Sequence, residues 1–342
     1  MRVQVIPIKE LSENLKKGWL SIQASNQDLT GPCFHPELFV AVGKFNPQVY
    51  VTVLCDGKKS LGFLPFQKDQ RLSIAKPIDF CDYDAIIGSK DDRWDIDKIL
   101  KQSGLKGWEF KALTDFNKIS TNNIHLEKKD SPRVDLTYGY EKYLDYQKQK
   151  KISYSNLMYK MRLLERNIGP IHFVPICNDV AVLHLMLSWK KQRYNCPSDW
   201  IDLATNLLEY LYYFKNSSLS GVLSVLYAGD DIIAAVFNLR YQGILHYLMP
   251  SFNPIFSKYS PGSLMAYYLI SELHAFQCNI LDFAPGAYRQ YKWDFANSSL
   301  PIIRGTFKVH SFKEEIKSVK WLYQSIRPVV RIARKAVKLV ST

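Results

Sequence analysis

The chain has 342 residues, 47% hydrophobic and 23% charged, a balance that suits a globular protein of two domains and argues against long disorder. Its six cysteines (Cys33, Cys55, Cys81, Cys177, Cys196, Cys278) form no C-x-x-C pair and no Cys/His cluster with zinc spacing, so no metal centre is expected and the thiols read as buried groups in a reducing compartment. Of the formal net charge of +13, nine Lys/Arg against two Glu place +7 (9 − 2) between Phe307 and Thr342, a tail able to meet anionic lipid, nucleic acid or an acidic substrate.

Met1 to Lys17 lacks the apolar core of a signal peptide. No run of about 18 apolar residues would cross a membrane. The expected location is therefore cytoplasmic or peripheral at the inner face of the membrane. Val3 to Ile8 reads as a strand, Ser12 to Leu20 as a helix with a Ser cap, and His35 to Gly43 as a second helix. Val49 to Cys55 and Ser60 to Phe66, joined through Gly57, make a hairpin. Strands follow at Ser73 to Pro77 and Tyr83 to Ile87, a helix at Trp94 to Gln102, a strand at Trp108 to Leu113, and a weaker one at His125 to Lys129. Ser131-Pro-Arg-Val-Asp-Leu136 reads as the link between two halves.

The second half opens with a helical segment over Tyr140 to Glu165. Then come a strand at Ile171 to Pro175 and helices at Asn178 to Arg193 and Trp200 to Phe214. A hairpin spans Gly221 to Ala228 and Ile232 to Tyr241 around Gly229-Asp-Asp, and Gly243 to Met249 adds a strand. Tyr259-Ser-Pro-Gly-Ser-Leu264 then starts a helix running to Phe276, with Ser260 as cap and Pro261 in the first turn. A strand, a Pro-Gly turn and a helix start together present main-chain N–H groups to an anion, a diphosphate above all. Asn279 to Phe283 carries Asp282 towards the same edge, and Gly305 to Val309 closes the series. The two hairpins occupy comparable places in the two halves.

Several motifs recur in one order: Leu61-Gly-Phe-Leu-Pro65, Phe80-Cys-Asp-Tyr83, Lys190-Lys-Gln-Arg-Tyr194, Ile233-Ala-Ala-Val-Phe-Asn238, Ser260-Pro-Gly262, Asp282-Phe283, Gly286 and Tyr291-Lys292. In this the chain resembles the CelD-type acyltransferases of the GNAT superfamily, found beside polysaccharide-synthesis genes, and more distantly the FemAB peptidyl transferases. The resemblance implies an α+β fold of two GNAT-like domains, residues 1–135 and 136–312, each a mostly antiparallel mixed sheet flanked by helices. A basic amphipathic helix over 313–342 would follow as a lipid-facing anchor. The implied reaction is acyl transfer from acetyl-CoA, or another acyl-CoA, to an amine on an amino sugar or a cell-envelope precursor. Aminoacyl transfer from charged tRNA and a non-catalytic role in a polysaccharide or membrane complex are the alternatives.

Such chemistry needs an anchored donor, a polarised thioester, a base and a proton for the thiolate. Ser260, Gly262, Ser263 and Leu264 are expected to hold the diphosphate, with Lys292 as counter-ion. Main-chain amides at Leu248 and Met249 would polarise the carbonyl, an effect worth about 3 kcal/mol in a water-poor site. Asp282, its pKa raised by partial burial, is the expected base; His246 is the rival. Tyr288 and Tyr291 are candidates for protonating sulfur. Asp82, Tyr83, Lys190 and Arg193 would line the acceptor groove.

Overall fold

A computed structural model describes residues 2–57, 59–69, 73–114, 119–120, 126–150, 154–214, 218–285 and 290–309. Its elements in chain order are β1 (Arg2–Pro7), α1 (Glu13–Ala24), α2 (Pro36–Phe45), β2 (Val49–Asp56), β3 (Lys59–Asp69), β4 (Ile74–Lys76), β5 (Ile87–Gly88), β6 (Trp94–Asp95), α3 (Ile96–Gln102), β7 (Gly107–Leu113), β8 (Ile119–Ser120) and β9 (Leu126–Asp135). The series continues with α4 (Tyr140–Gln149), α5 (Ser155–Asn167), β10 (Ile171–Val174), α6 (Val180–Tyr194), α7 (Ser198–Tyr213), β11 (Ser220–Ala228), β12 (Asp231–Tyr241), β13 (Ile244–Phe252), α8 (Pro261–Ser271), β14 (Ile280–Asp282), α9 (Gln290–Phe295) and β15 (Ser298–Lys308).

Local chemistry sets many of these boundaries. Ser12 Oγ accepts the Leu15 N–H at the start of α1, and Asp179 Oδ1 accepts the Ala181 N–H at the start of α6. Gln242 and Gly243 both have positive φ, +45° and +75°, so β12 and β13 meet in a two-residue turn of the kind that matches strand twist.

Among the described residues thirteen strands form one sheet, twelve of them in the order β1-β2-β3-β4-β7-β15-β9-β14-β13-β12-β11-β10 and the thirteenth, β5, paired with β3; β6 and β8 make a separate parallel pair. All pairings along this path are antiparallel except β4–β7 and β13–β14. The order reads alike from either end. β1-α1-α2-β2-β3-β4-α3-β7 in the first half matches β10-α6-α7-β11-β12-β13-α8-β14 in the second. The strand following each half crosses to the other. β9 pairs with β14, and β15 pairs with β7, while the two pair with each other. The fold is thus a mixed sheet flanked by helices, built on a repeated plan.

Residues 131–135, read from sequence as a link, are the end of β9 in the middle of this sheet. Pro132 and the run of charges hide the alternation there. The Tyr140 to Glu165 helix is two helices, α4 and α5. One apolar core joins the halves on one face, with Trp19, Phe34 and Leu38 in the same cluster as Met186, Leu208 and Phe237. On the other face α3 covers one core and α4, α5 and α8 a second. No helix among the described residues is long and apolar enough to cross a membrane. The basic segment 313–342 lies outside the described residues.

Candidate active site

The two parallel strands of the second half part company at one step. β13 and β14 pair over Ile244–His246 and Ile280–Asp282 and no further. Beyond that point the Phe283 N–H donates to Pro132 O on β9. β13 meanwhile stays with β12, but its register slips: Leu239 faces His246 while Phe237 faces Met249. Two residues of β13, Tyr247 and Leu248, therefore oppose Asn238 alone, which is a β-bulge. Of the expected carbonyl-polarising positions, Leu248 falls in this bulge and Met249 is the paired residue that follows it. Met249 is buried and Leu248 half-buried.

His246 and Asp282 stand where the strands separate, and the first half reaches across to both. His246 Nε2 lies 2.7 Å from Asp82 Oδ2, a residue 164 positions away. Tyr83 Oη donates to Asp282 Oδ1 at 2.8 Å and lies 2.8 Å from Ser131 Oγ. The Ala284 N–H also reaches Asp282 Oδ1, at 2.9 Å. The other carboxylate oxygen takes a two-pronged contact from Arg133, at 3.1 Å from Nε and 2.8 Å from Nη2. His246 Nδ1 is 3.8 Å from that same oxygen.

The electrostatics run opposite to the raised pKa expected of Asp282. Burial alone would raise the Asp282 pKa, but the Arg133 guanidinium, then His246 and the Ala284 N–H, outweigh it and hold the carboxyl well below its usual range. Asp282 is ionised and fully engaged, so it is a poor proton acceptor. Burial disfavours charge on His246 too. The Cys33 sulfur and the carboxylates of Asp282 and Asp82 turn that balance, and the imidazole pKa lies well above its ordinary value. Two carboxylates and one guanidinium leave a net negative charge that an imidazolium neutralises.

Asp82 is the member of this group that meets open space. Its side chain is 33% exposed and forms part of the wall of a cavity of about 700 Å3, shared with Phe80, Lys111, Lys129, Trp293 and Arg304. A smaller pocket of about 170 Å3 lies behind α9, bounded by Lys160, Ser260, Ser263, Tyr291 and Asp294. The short helix α9 separates the two, with Trp293 on one side and Tyr291 and Asp294 on the other.

The start of α8 differs from the expected cap. Ser260 is left-handed at φ +57° and makes no side-chain cap; its Oγ instead accepts from Lys160 Nζ at 2.6 Å. The Ser260 N–H goes to Ser257 O, and the N–H groups of Ser263 and Leu264 go to Ser260 O. Among the described residues, only the Gly262 N–H of this quartet lacks a main-chain acceptor. Lys160, which the sequence did not single out, supplies the cation there. Lys292 points elsewhere: its Nζ donates to Phe283 O at 2.6 Å and lies 5.3 Å from the Tyr247 ring centre, inside the gap between β13 and β14. Tyr291 sits against the α8 start, its Oη 3.9 Å from where a Gly262 Cβ would be, rather than beside His246. Lys190 and Arg193 lie at the end of α6. Arg193 covers Phe252 at 4.2 Å, and Lys190 lies 5.7 Å from the Tyr194 ring, so neither lines the cavity. Tyr288 and Gly286 lie outside the described residues.

Arg133 is the member of this cluster that the sequence does not single out. It follows a proline in a segment that looks like a linker, and no local pattern marks its partner 149 positions away. Among the described residues no group of three or more His, Cys, Asp or Glu side chains is arranged to hold a metal ion.

A family model described as an acetyltransferase (GNAT) domain matches residues 151–293, the stretch from α5 through most of α9. An acetyltransferase of the GNAT family from Colwellia psychrerythraea is similar in structure, with a TM-score of 0.53 at 11% identity over 90% of this chain and 100% of that one. FemX is similar too, with a TM-score of 0.52 at 9% identity over 95% of this chain and 100% of that one. Such low identity carries the fold alone. No curated protein matches the sequence.

Proposed function

We propose that the chain is an N-acyltransferase that moves an acyl group, acetyl first of all, from acyl-coenzyme A to an amine on an amino sugar or another cell-envelope precursor. The observation that carries this reading is Asp82 on the cavity wall, bonded to the buried His246 and backed by Asp282 and Arg133 at the point where β13 and β14 separate. A proton acceptor there faces the cavity next to a bulged strand.

Asp82 holds the acceptor ammonium and takes its proton, sharing it with Nε2 of a neutral His246. The freed amine attacks the thioester carbon. Main-chain donors at the Tyr247–Leu248 bulge face the developing oxyanion. The carbon–sulfur bond then breaks, and the amine's second proton goes to the leaving sulfur. An amide and a thiol result, and His246, left as imidazolium between two carboxylates, returns its proton to solvent. The open Gly262 N–H, with the Ser263 hydroxyl and Lys160 as counter-ion, binds the diphosphate of the donor. Bringing the donor's arm between β13 and β14 requires Lys292 to leave the gap. The 313–342 segment would hold the enzyme at an anionic membrane face, near lipid-linked acceptors.

The test is thiol release from acetyl-coenzyme A in the presence of a panel of amines, with donor binding followed by calorimetry. Acceptor-dependent release supports the reading. Neither binding nor release with any acyl-coenzyme A, against transfer from a charged tRNA, would replace it with aminoacyl transfer.

A further inference from the structure

We propose that the larger cavity is the acceptor's site and that it selects an amine that also carries a phosphoryl group; this rests on the acyl-transfer reading above. By the repeated plan of the fold, the cavity lies beside the first half's own parallel pair, β4 and β7, the counterpart of β13 and β14. That pair also stops early, after Ala75 and Trp108. Here, however, the gap is closed by the chain itself. Asp84 Oδ2 accepts the Lys111 N–H at 2.9 Å and the Ala112 N–H at 3.1 Å, and Asp84 bridges to Leu113. The helix that corresponds to α8 is α3, and it starts under a carboxylate: Asp95 Oδ1 accepts the Lys98 N–H at 3.0 Å, with Asp97 in the first turn. A diphosphate would meet negative charge where the second half offers Lys160. The first half is therefore built against a second donor, and its cavity remains for the other substrate.

The walls of that cavity have two poles. At one stands Asp82 with His246 behind it, suited to an ammonium. At the other, three neighbouring strands present Lys111 from β7, Arg304 from β15 and Lys129 from β9. Lys129 is held by Glu127 at 3.0 Å. Among the described residues neither the Arg304 guanidinium nor the Lys111 ammonium forms an ion pair within 4.0 Å, although Glu127 stands opposite Arg304 in the β15–β9 register and Asp84 holds the Lys111 main chain. Asp79 and Asp130 keep the cavity near neutrality overall, so net charge is not what it selects. A ligand bearing both signs fits it. Phe80, itself stacked on Trp200 at 5.3 Å, and Trp293 add apolar surface to the lining, suited to a ring compound. The planar fork of Arg304 matches a phosphoryl group, and Lys111 adds a point charge.

Three probes test this: a free hexosamine, its phosphate ester and a nucleoside-diphosphate-linked aminohexose, each assayed with acetyl-coenzyme A. The ratio of kcat/KM for the phosphate ester over that for the free amine is expected to exceed about tenfold, as a charge-assisted contact allows. In Arg304→Ala the ratio falls towards one, and Arg304→Lys restores part of it. A further gain with the nucleotide-linked probe identifies a nucleotide-linked acceptor; no gain identifies a simple phosphate ester. Equal kcat/KM for ester and free amine overturns the proposal while leaving acyl transfer standing. So does calorimetry showing two donors per chain. Donor binding without transfer to any of the amines counts against acyl transfer itself, and phosphate-ester binding by the wild type against Arg304→Ala then reads the cavity separately.

Discussion

Replacing Asp282 by Asn separates two roles that the residue could have. If Asp282 were the base, Asp282→Asn would abolish turnover and leave the fold nearly as stable as before. The geometry says otherwise. The Asn Oδ1 can still accept from Tyr83 and the Ala284 N–H, but its amide N–H groups would face the Arg133 guanidinium, donor against donor. Side-chain exposure is 13% for Arg133 and 3% for Asp282, so an unpaired guanidinium would be left largely out of water. Breaking a buried pair in this way costs about 3–5 kcal/mol. A chain of 342 residues has an unfolding entropy near 0.7 kcal/mol/K, so the melting temperature should fall by about 4–7 °C. Removing both charges in Asp282→Asn/Arg133→Met should recover about half of that loss, because no buried ion is left alone. Scanning calorimetry of the two single variants and the double variant reads this directly. A drop below about 1 °C in Asp282→Asn, or a double variant as unstable as the sum of the singles, would refute the reasoning.

Asp82→Asn should do the reverse: the residue is partly exposed and bonded to His246, so turnover falls by about 100-fold or more while the melting temperature moves by less than about 2 °C. The pH profile of kcat/KM should rise through an inflection above the ordinary imidazole value, since the neutral form of His246 is the active one and its pKa is raised. Asp282→Asn, having lost one supporting carboxylate, should move that inflection downward, and an unchanged inflection would exclude His246. His35 is buried and neutral; burial first, then Lys16, lowers its pKa to about 4. Its stability contribution is therefore complete above about pH 6.5 and is lost as the pH falls towards 4, by up to about 3 kcal/mol. His35→Asn keeps an acceptor for the Glu37 N–H and should flatten that part of the stability curve, as measured by urea titrations between pH 4 and 7. Across the whole chain, Asp282 works in the opposite pH sense to His246, giving stability that is full above about pH 4 and lost only in stronger acid.

Much of the architecture is local, and so the sequence alone determined it. Ser12 and Asp179 cap their helices because a side-chain oxygen satisfies an N–H that the helix leaves open. Gly57 and Gly229, both with φ near +57°, turn their hairpins, and apolar spacing puts Val182, Met186 and Trp189 on one buried face. The polar residues that form the cluster, Asp82, His246 and Asp282, also stand out as polar groups in apolar surroundings. What the tertiary structure decided is how they meet and with what charge. Strands of similar alternation can pair in many orders, and only the assembled sheet places β9 and β15 across the halves. That exchange carries Arg133 to Asp282 and so fixes the sign of its pKa shift. Burial acts on a residue wherever the chain is apolar, but the charge opposing it comes from a strand 149 positions away.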